Sequence, residues 1–184
     1  MIEQDVINKC IMGDRQAYAS FYNTCAPYAY AIIKNYISDT HFRKDALQEV
    51  FTELFLSLSS YDESRGTFKS WLSKITVHTT IDLQRKKLKL YNNSEIDAVK
   101  YVSDDVNLDI QDKDMEQVHL LLQDMPDGYK TIFLLKQVEE YSHQRIGRLL
   151  DITPETSRSQ LNRAKRWIKK NMVKIKNLTP NEVI

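Results

Sequence analysis

Apolar residues recur at three- and four-residue steps along most of the chain, the spacing that gathers them on one face of an α-helix. Ile2 to Met12 reads as a short helix ended at Gly13, and Asp14 is placed to cap a longer one. From there Ala17, Tyr18, Phe21, Tyr22, Cys25, Tyr28, Ala29, Ile32, Ile33 and Tyr36 form a broad stripe. Pro27 interrupts the stripe and predicts a kink or bend. An aromatic stripe of this kind reads as core. Ser38 and Asp39 signal the next start, and Leu47, Val50, Phe51, Leu54, Phe55 and Leu58 give the clearest amphipathic helix of the chain. Its other face shows Asp45, Gln48, Glu49, Thr52 and Glu53. Two readings stand for that face. It is a solvated surface, or it is a docking surface for a partner helix, because three carboxylates lie on neighbouring turns.

Tyr61 to Gly66 reads as a polar loop, and Thr67 caps a helix carrying Phe68, Trp71, Leu72, Ile75, Thr79 and Leu83. The middle of that helix, residues 76–80, is rich in β-branched residues and forms helix weakly, so tertiary packing must hold it. It runs into a basic stretch from Arg85 to Lys89, which attracts a polyanion but is a weak signal alone. Residues 90–114 hold seven acids, two lysines and no sustained apolar period, the composition of a flexible connector. Its apolar pieces Ile96, Val99, Tyr101 and Val102 are candidates for docking in a partner. A helix resumes near Met115 with Val118, Leu121 and Leu122, breaks at 125–128, and is followed by another from Tyr129 to Val138. The tail after Asn177, with Pro180, reads as frayed.

Between them lies the stretch from Tyr141 to Lys170, two helices joined by a tight turn. The first starts at Ser142, with Ile146, Leu149 and Leu150 as its apolar side. Asp151 falls where the chain must turn sharply, and Asp tolerates a left-handed backbone better than most residues. Thr153-Pro154-Glu155 is a strong helix start: a hydroxyl cap, a proline at the first helical position and an acid at the positive dipole end. From Thr156 to Lys176 there are eight basic side chains and no acid. Leu161, Ala164 and Ile168 mark a buried face, and Arg158, Gln160, Arg163 and Asn162 lie away from it. Those side-chain types pair with guanine and adenine edges or with phosphates. The plainer alternative is a solvated basic face.

Composition changes the picture in three ways. Four glycines and four prolines in 184 residues, with 28% charged side chains, favour helix throughout. No run of about 18 apolar residues offers a membrane span, and the N-terminus lacks the apolar core of a secretion signal. The net charge of +1 hides a division: residues 1–90 carry +2, residues 91–115 carry −5 and residues 116–184 carry +4. Two mildly basic blocks around an acidic connector suggest two domains and a linker. A nearly neutral total suits a protein that binds DNA only beside a larger partner. Cys10 and Cys25 have no metal-ligand spacing and read as small core residues of a reducing compartment. His41, His78, His119 and His143 are scattered, and no phosphate-loop, dinucleotide, nucleophile-elbow or zinc-protease motif occurs. No catalytic residue, metal site or cofactor is expected.

Several motifs in order resemble a known family. Residues 45–51 (DALQEVF), residues 66–72 (GTFKSWL), Ile75, Asp82, Arg85 and Lys86 resemble the second conserved region of bacterial sigma-70 factors. Met125-Pro126, residues 133–135, Tyr141-Ser142, Ile146-Gly147, residues 150–152, Thr156, Ser159, Leu161, Arg163 and Ala164 resemble the fourth region. The spacing is similar to that of the compact extracytoplasmic-function (ECF) group, and the likeness covers about residues 10–172. It implies an all-α chain: a helical region 2 domain over 1–90, a flexible acidic linker over 91–114, and a helix-turn-helix region 4 domain over 115–176.

By function, the resemblance implies a cytoplasmic transcription initiation factor with three partners: core RNA polymerase, promoter DNA and an anti-sigma protein. Asp45, Gln48, Glu49, Phe51 and Thr52 look like the core-polymerase-binding set. Ser64, Arg65, Lys74, His78, Thr79, Asp82, Arg85 and Lys86 look like the part that opens and reads the −10 element. Thr156, Ser157, Arg158, Ser159, Gln160, Asn162, Arg163 and Arg166 look like the readers of the −35 element. The chain departs from the family pattern at four of these motif positions. His78 stands for a frequent asparagine. Ser157 stands for a valine, which predicts a thin core there. Asp151 stands for a glycine at little cost. Gly147 stands for an alanine, which predicts a slightly weaker helix. The competing reading is a stand-alone helix-turn-helix regulator whose N-terminal helices dimerise or sense a ligand.

Overall fold

The computed structural model describes residues 2–91 and 115–178. The connector expected over 91–114 therefore lies, from residue 92 onward, outside the described residues, as do its apolar pieces and the tail from 179. The described residues contain eight α-helices and no strand. The chain divides into two compact units, Met1–Leu90 and Tyr91–Ile184.

The first unit holds α1 (Gln4–Ile11), α2 (Arg15–Tyr36), α3 (Thr40–Ser57) and α4 (Phe68–Tyr91). Its helix starts are those the capping chemistry predicts. Asp14 accepts from the amides of Gln16 and Ala17, and Asp39 from those of His41 and Phe42. The Thr67 hydroxyl accepts from the Ser70 amide ahead of α4. Helix α2 runs unbroken through Pro27. An aromatic cluster joins the helices. The Phe21 ring on α2 lies 6.3 Å from Phe51 and 5.3 Å from Phe55 on α3, and 5.8 Å from Phe68 on α4. Tyr61, Phe68 and Trp71 pack with centroids 5.4 to 5.5 Å apart and pin the polar loop to α4. The β-branched middle of α4 is held by burial, as expected: Thr76, Val77 and Thr80 are shut from solvent. The Thr76 hydroxyl donates back to the Leu72 carbonyl at 2.8 Å. Cys10 and Cys25 are free thiols in this core, and burial pushes the Cys25 thiol up to about 11.

The second unit holds α5 (Met115–Asp124), α6 (Asp127–Gln137), α7 (His143–Leu150) and α8 (Pro154–Leu178), with α5, α6 and α7 all packed on α8. Six successive residues of α6, Lys130 to Leu135, are buried. The buried Lys130 ammonium reaches the Gln123 carbonyl at 3.5 Å, in the last turn of α5, where the helix dipole favours a cation. The Ser142 hydroxyl caps α7 by accepting from the Arg145 amide, and the Thr153 hydroxyl caps α8 by accepting from the Thr156 amide. Asp151 takes the left-handed conformation (φ 59°, ψ 45°) that ends α7.

The turn explains Gly147 differently from the sequence. A Cβ there would come within 2.7 Å of the Ile152 carbonyl oxygen, a backbone atom. The Ile152 amide also donates to the Gly147 carbonyl at 3.0 Å, so the two backbones are drawn together. The expected weak spot in α7 is thus the place where the corner closes. Gly147→Ala is expected to lower stability by about 1–3 kcal/mol through overpacking. A urea or thermal melt of the full chain reads this, and an unchanged midpoint would refute it.

Candidate functional site

Each amphipathic helix has to turn one arc of its surface inward, and what is left faces outward. On α3 the inward arc is Ala46, Val50, Phe51 and Leu54, continued by Leu58 just past the helix end, all buried. Asp45, Gln48, Glu49, Thr52 and Glu53 are all exposed on the opposite arc. The Thr52 hydroxyl donates to the Gln48 carbonyl at 3.0 Å, and the Ser57 hydroxyl to Glu53 Oε1 at 3.0 Å. Four of the five residues expected to meet the polymerase therefore lie together on an open acidic ridge. Phe51 does not. It is 4% exposed and packs between Phe21 and Tyr22 of α2, its centroid 4.5 Å from the Tyr22 ring. The reason is register: at 100° per residue, Phe51 sits on the buried side of the helix.

The residues expected at the −10 element fall in two places. Ser64 and Arg65 are exposed in a short 3-10 turn, Glu63–Arg65, before Gly66. The Asp62 carboxylate accepts from the Ser64 hydroxyl at 2.7 Å and from its amide at 2.9 Å. Those bonds hold the Asp62 carboxyl below its usual range. Gly66 closes the turn at φ 149°, a conformation that suits glycine.

The other six lie on α4. Lys74, His78, Thr79, Asp82 and Lys86 form one wall of a groove of about 370 Å³, with Ile75 and Leu83 as its apolar lining. The opposite wall is Glu49 and Glu53 of α3. One residue expected to meet the polymerase, Glu49, thus shares a groove with five of those expected to meet DNA. Arg85 stands outside it and pairs with Asp82 at 3.0 Å.

On α8 the buried arc is Ser157, Leu161, Ala164, Ile168 and Met172. Arg158 is exposed, and Thr156, Ser159, Gln160, Asn162, Arg163 and Arg166 are half-buried off that arc. Ser157 is a correction. It was expected among the DNA contacts, but its side chain is fully buried and its hydroxyl lies 2.9 Å from His143 Nδ1 on α7. The core is not merely thin at this position; a polar pair takes the place of an aliphatic contact and ties the two helices of the corner. Thr156 Oγ1 lies 3.1 Å from Thr153 Oγ1, within the cap. Arg158 pairs with Glu155 at 3.1 Å. The Glu155 carboxyl is held below its usual range first by the backbone amide of its own residue and then by Arg158. Both side chains of that pair are about half exposed, so it is a weak pair that a phosphate can displace. The Ser159 hydroxyl is enclosed without a hydrogen-bond partner.

Sequence reasoning placed Glu53 on the acidic face but left it out of the polymerase set, and it counted Leu56 on neither face. Helical angle alone locates both with their exposed neighbours. Among the described residues no helix is long and apolar enough to cross a membrane.

Two families match the chain: sigma-70 region 2 over residues 21–89 and sigma-70 region 4 over residues 115–168. The ECF RNA polymerase sigma factor SigW of Bacillus subtilis is 26% identical over 175 residues, covering 87% of this chain and 91% of the relative. RNA polymerase sigma factor SigV of the same organism is 28% identical over 148 residues, 79% and 82% of the two chains. The ECF RNA polymerase sigma-E factor of Haemophilus influenzae is 22% identical over 179 residues, 91% and 94%.

Phe51→Ala is expected to destabilise the first unit by about 3–5 kcal/mol. Glu49→Gln, on the exposed arc, should leave the melt within about 0.5 kcal/mol of wild type. Parallel denaturant titrations separate the buried arc from the exposed one. Equal losses would reverse the assignment.

Proposed function

We propose a residue-level division of labour for a chain that belongs to the ECF group of the sigma-70 family, a transcription initiation factor that binds core RNA polymerase and directs it to promoters. Asp45, Gln48, Glu49 and Thr52, with Glu53 beside them, dock on the polymerase. Ser64, Arg65, Lys74, His78, Thr79, Asp82, Arg85 and Lys86 engage the −10 element as it opens. Thr156, Arg158, Ser159, Gln160, Asn162, Arg163 and Arg166 engage the −35 element. Phe51 and Ser157 support their helices from inside. The observation that carries this reading is the acidic ridge of α3, all of whose polar side chains from Asp45 to Glu53 are exposed while the opposite arc is buried.

The physical need for a partner is clear. Duplex binding scales with the number of phosphates neutralised, and among the described residues of α8 only Lys169 and Lys170 are exposed cations outside the Arg158–Glu155 pair. Two such surfaces, held in register by the polymerase, gain from effective concentration what each lacks singly. The family matches favour this reading over a stand-alone regulator. An anti-sigma protein that covers the DNA-binding surfaces is the regulator we expect. The cytoplasm, where core polymerase works, is the compartment.

Run-off transcription with core polymerase and this protein on genomic DNA should yield discrete starts that vanish without it. Glu49→Lys should abolish a stable complex with core polymerase, and an intact complex would remove the acidic face of α3 from the interface. Arg158→Ala should cost about 1–3 kcal/mol in discrimination between promoter and non-promoter DNA if it reads a base. An equal loss on all DNA would make it a phosphate contact.

A further inference from the structure

Among the large apolar side chains of the described residues, Leu56 is 74% exposed, more so than any but Met12 at the α1–α2 turn. A single exposed leucine is ordinary on a protein surface. Its position on α3 is what sets it apart. At 100° per residue it points within about 20° of both Asp45 and Glu49, so it lies on the midline of the acidic ridge, at its C-terminal end. Thr52 and Glu53 precede it by four and three residues, the spacings at which side chains on a helix meet. The ridge from Asp45 to Leu56 rises about 16 Å, three turns of helix. The inward arc of α3 is already filled by four buried residues, so nothing within the unit calls Leu56 inward. From Asp45 to Ser64 the chain carries five acids and no lysine or arginine.

We propose that Leu56 is the apolar anchor of the α3 face that docks on core RNA polymerase, seated in an apolar recess of the polymerase that is flanked by basic side chains. This rests on the reading of α3 as the polymerase-binding helix. An apolar side chain on the midline of a helix face, with polar ones on the turns before it, lets one desolvated contact carry binding while the charges set orientation. The acids steer and orient the encounter. Leu56 gains most once water is excluded, because its side chain is the one on the ridge whose burial against an apolar surface is favourable without a charge partner.

The test is equilibrium binding of the full-length protein to core polymerase, by competition against a fluorescently labelled wild-type chain. Four variants are compared: L56M, L56A, L56K and E49K. With Leu56 as anchor, L56A binds about tenfold more weakly, L56K more weakly still, and L56M close to wild type. Thermal melts of all four should match wild type, since neither Leu56 nor Glu49 enters the core. If L56A lowers the melt, L56Q, neutral and of similar size, takes its place against L56M at matched melts. Wild-type affinity for L56A with weakened E49K would overturn the anchor and leave the acidic face as the docking surface. Weakening by L56K alone would also overturn it, as an effect of charge. Wild-type affinity for L56A, L56K and E49K together would remove α3 from the interface altogether. Weak binding by L56A and L56K with a normal E49K would keep the anchor and remove the acids.

Discussion

The packing of Phe21 against Phe51, Phe55 and Phe68 is the constraint from which the first unit follows. One ring on α2 touches two on α3 and one on α4, so the rotation of α3 about its own axis is settled by aromatic shape. Edge-to-face pairs tolerate little rotation before contacts are lost. Once Phe51 and Leu54 point inward, Asp45, Glu49 and Glu53 have no choice but to point out. The exposed acidic ridge is therefore a by-product of the core. No separate structural device holds it.

The second unit depends on a close backbone approach in place of aromatic packing. Gly147 lets the Ile152 carbonyl come near, Asp151 supplies the left-handed step, and Thr153 with Pro154 restarts the helix at once. The Ser157–His143 contact then fixes α8 against α7 across the corner. A helix that must present particular side chains to a groove in DNA has to be held at a definite angle to its neighbours. Here one missing side chain and one polar pair do that.

The groove between α3 and α4 sets carboxylates opposite cations: Glu49 and Glu53 face the wall of Lys74 and Lys86. Acids of this kind lower the local positive potential that a nucleic acid would feel, the more so at low salt. A polymerase surface that covers the acids would change that potential.

Much was legible in the order of residues. Capping residues fixed the starts of α2, α3, α4, α7 and α8, because a side-chain oxygen satisfies orphan amides by local geometry that needs no partner from elsewhere. The three- and four-residue period separated the buried and exposed arcs of α3 and α8. Motifs and their spacing gave the family, and with it the activity. What the sequence could not decide was anything set by another segment of chain. Phe51 lay on the apolar stripe by its period and at a docking surface by its motif, and its packing on Phe21 and Tyr22 settles it as core. Ser157 looked like a defect or a DNA contact until His143 appeared beside it. Gly147 looked like a weak helix residue until the Ile152 oxygen was placed against it. The sharing of one groove by Glu49 and Lys86, 37 positions apart, was invisible for the same reason. Local hydrogen bonds and periodicity are written along the chain; steric fit and the field between distant charges exist only once the chain has folded.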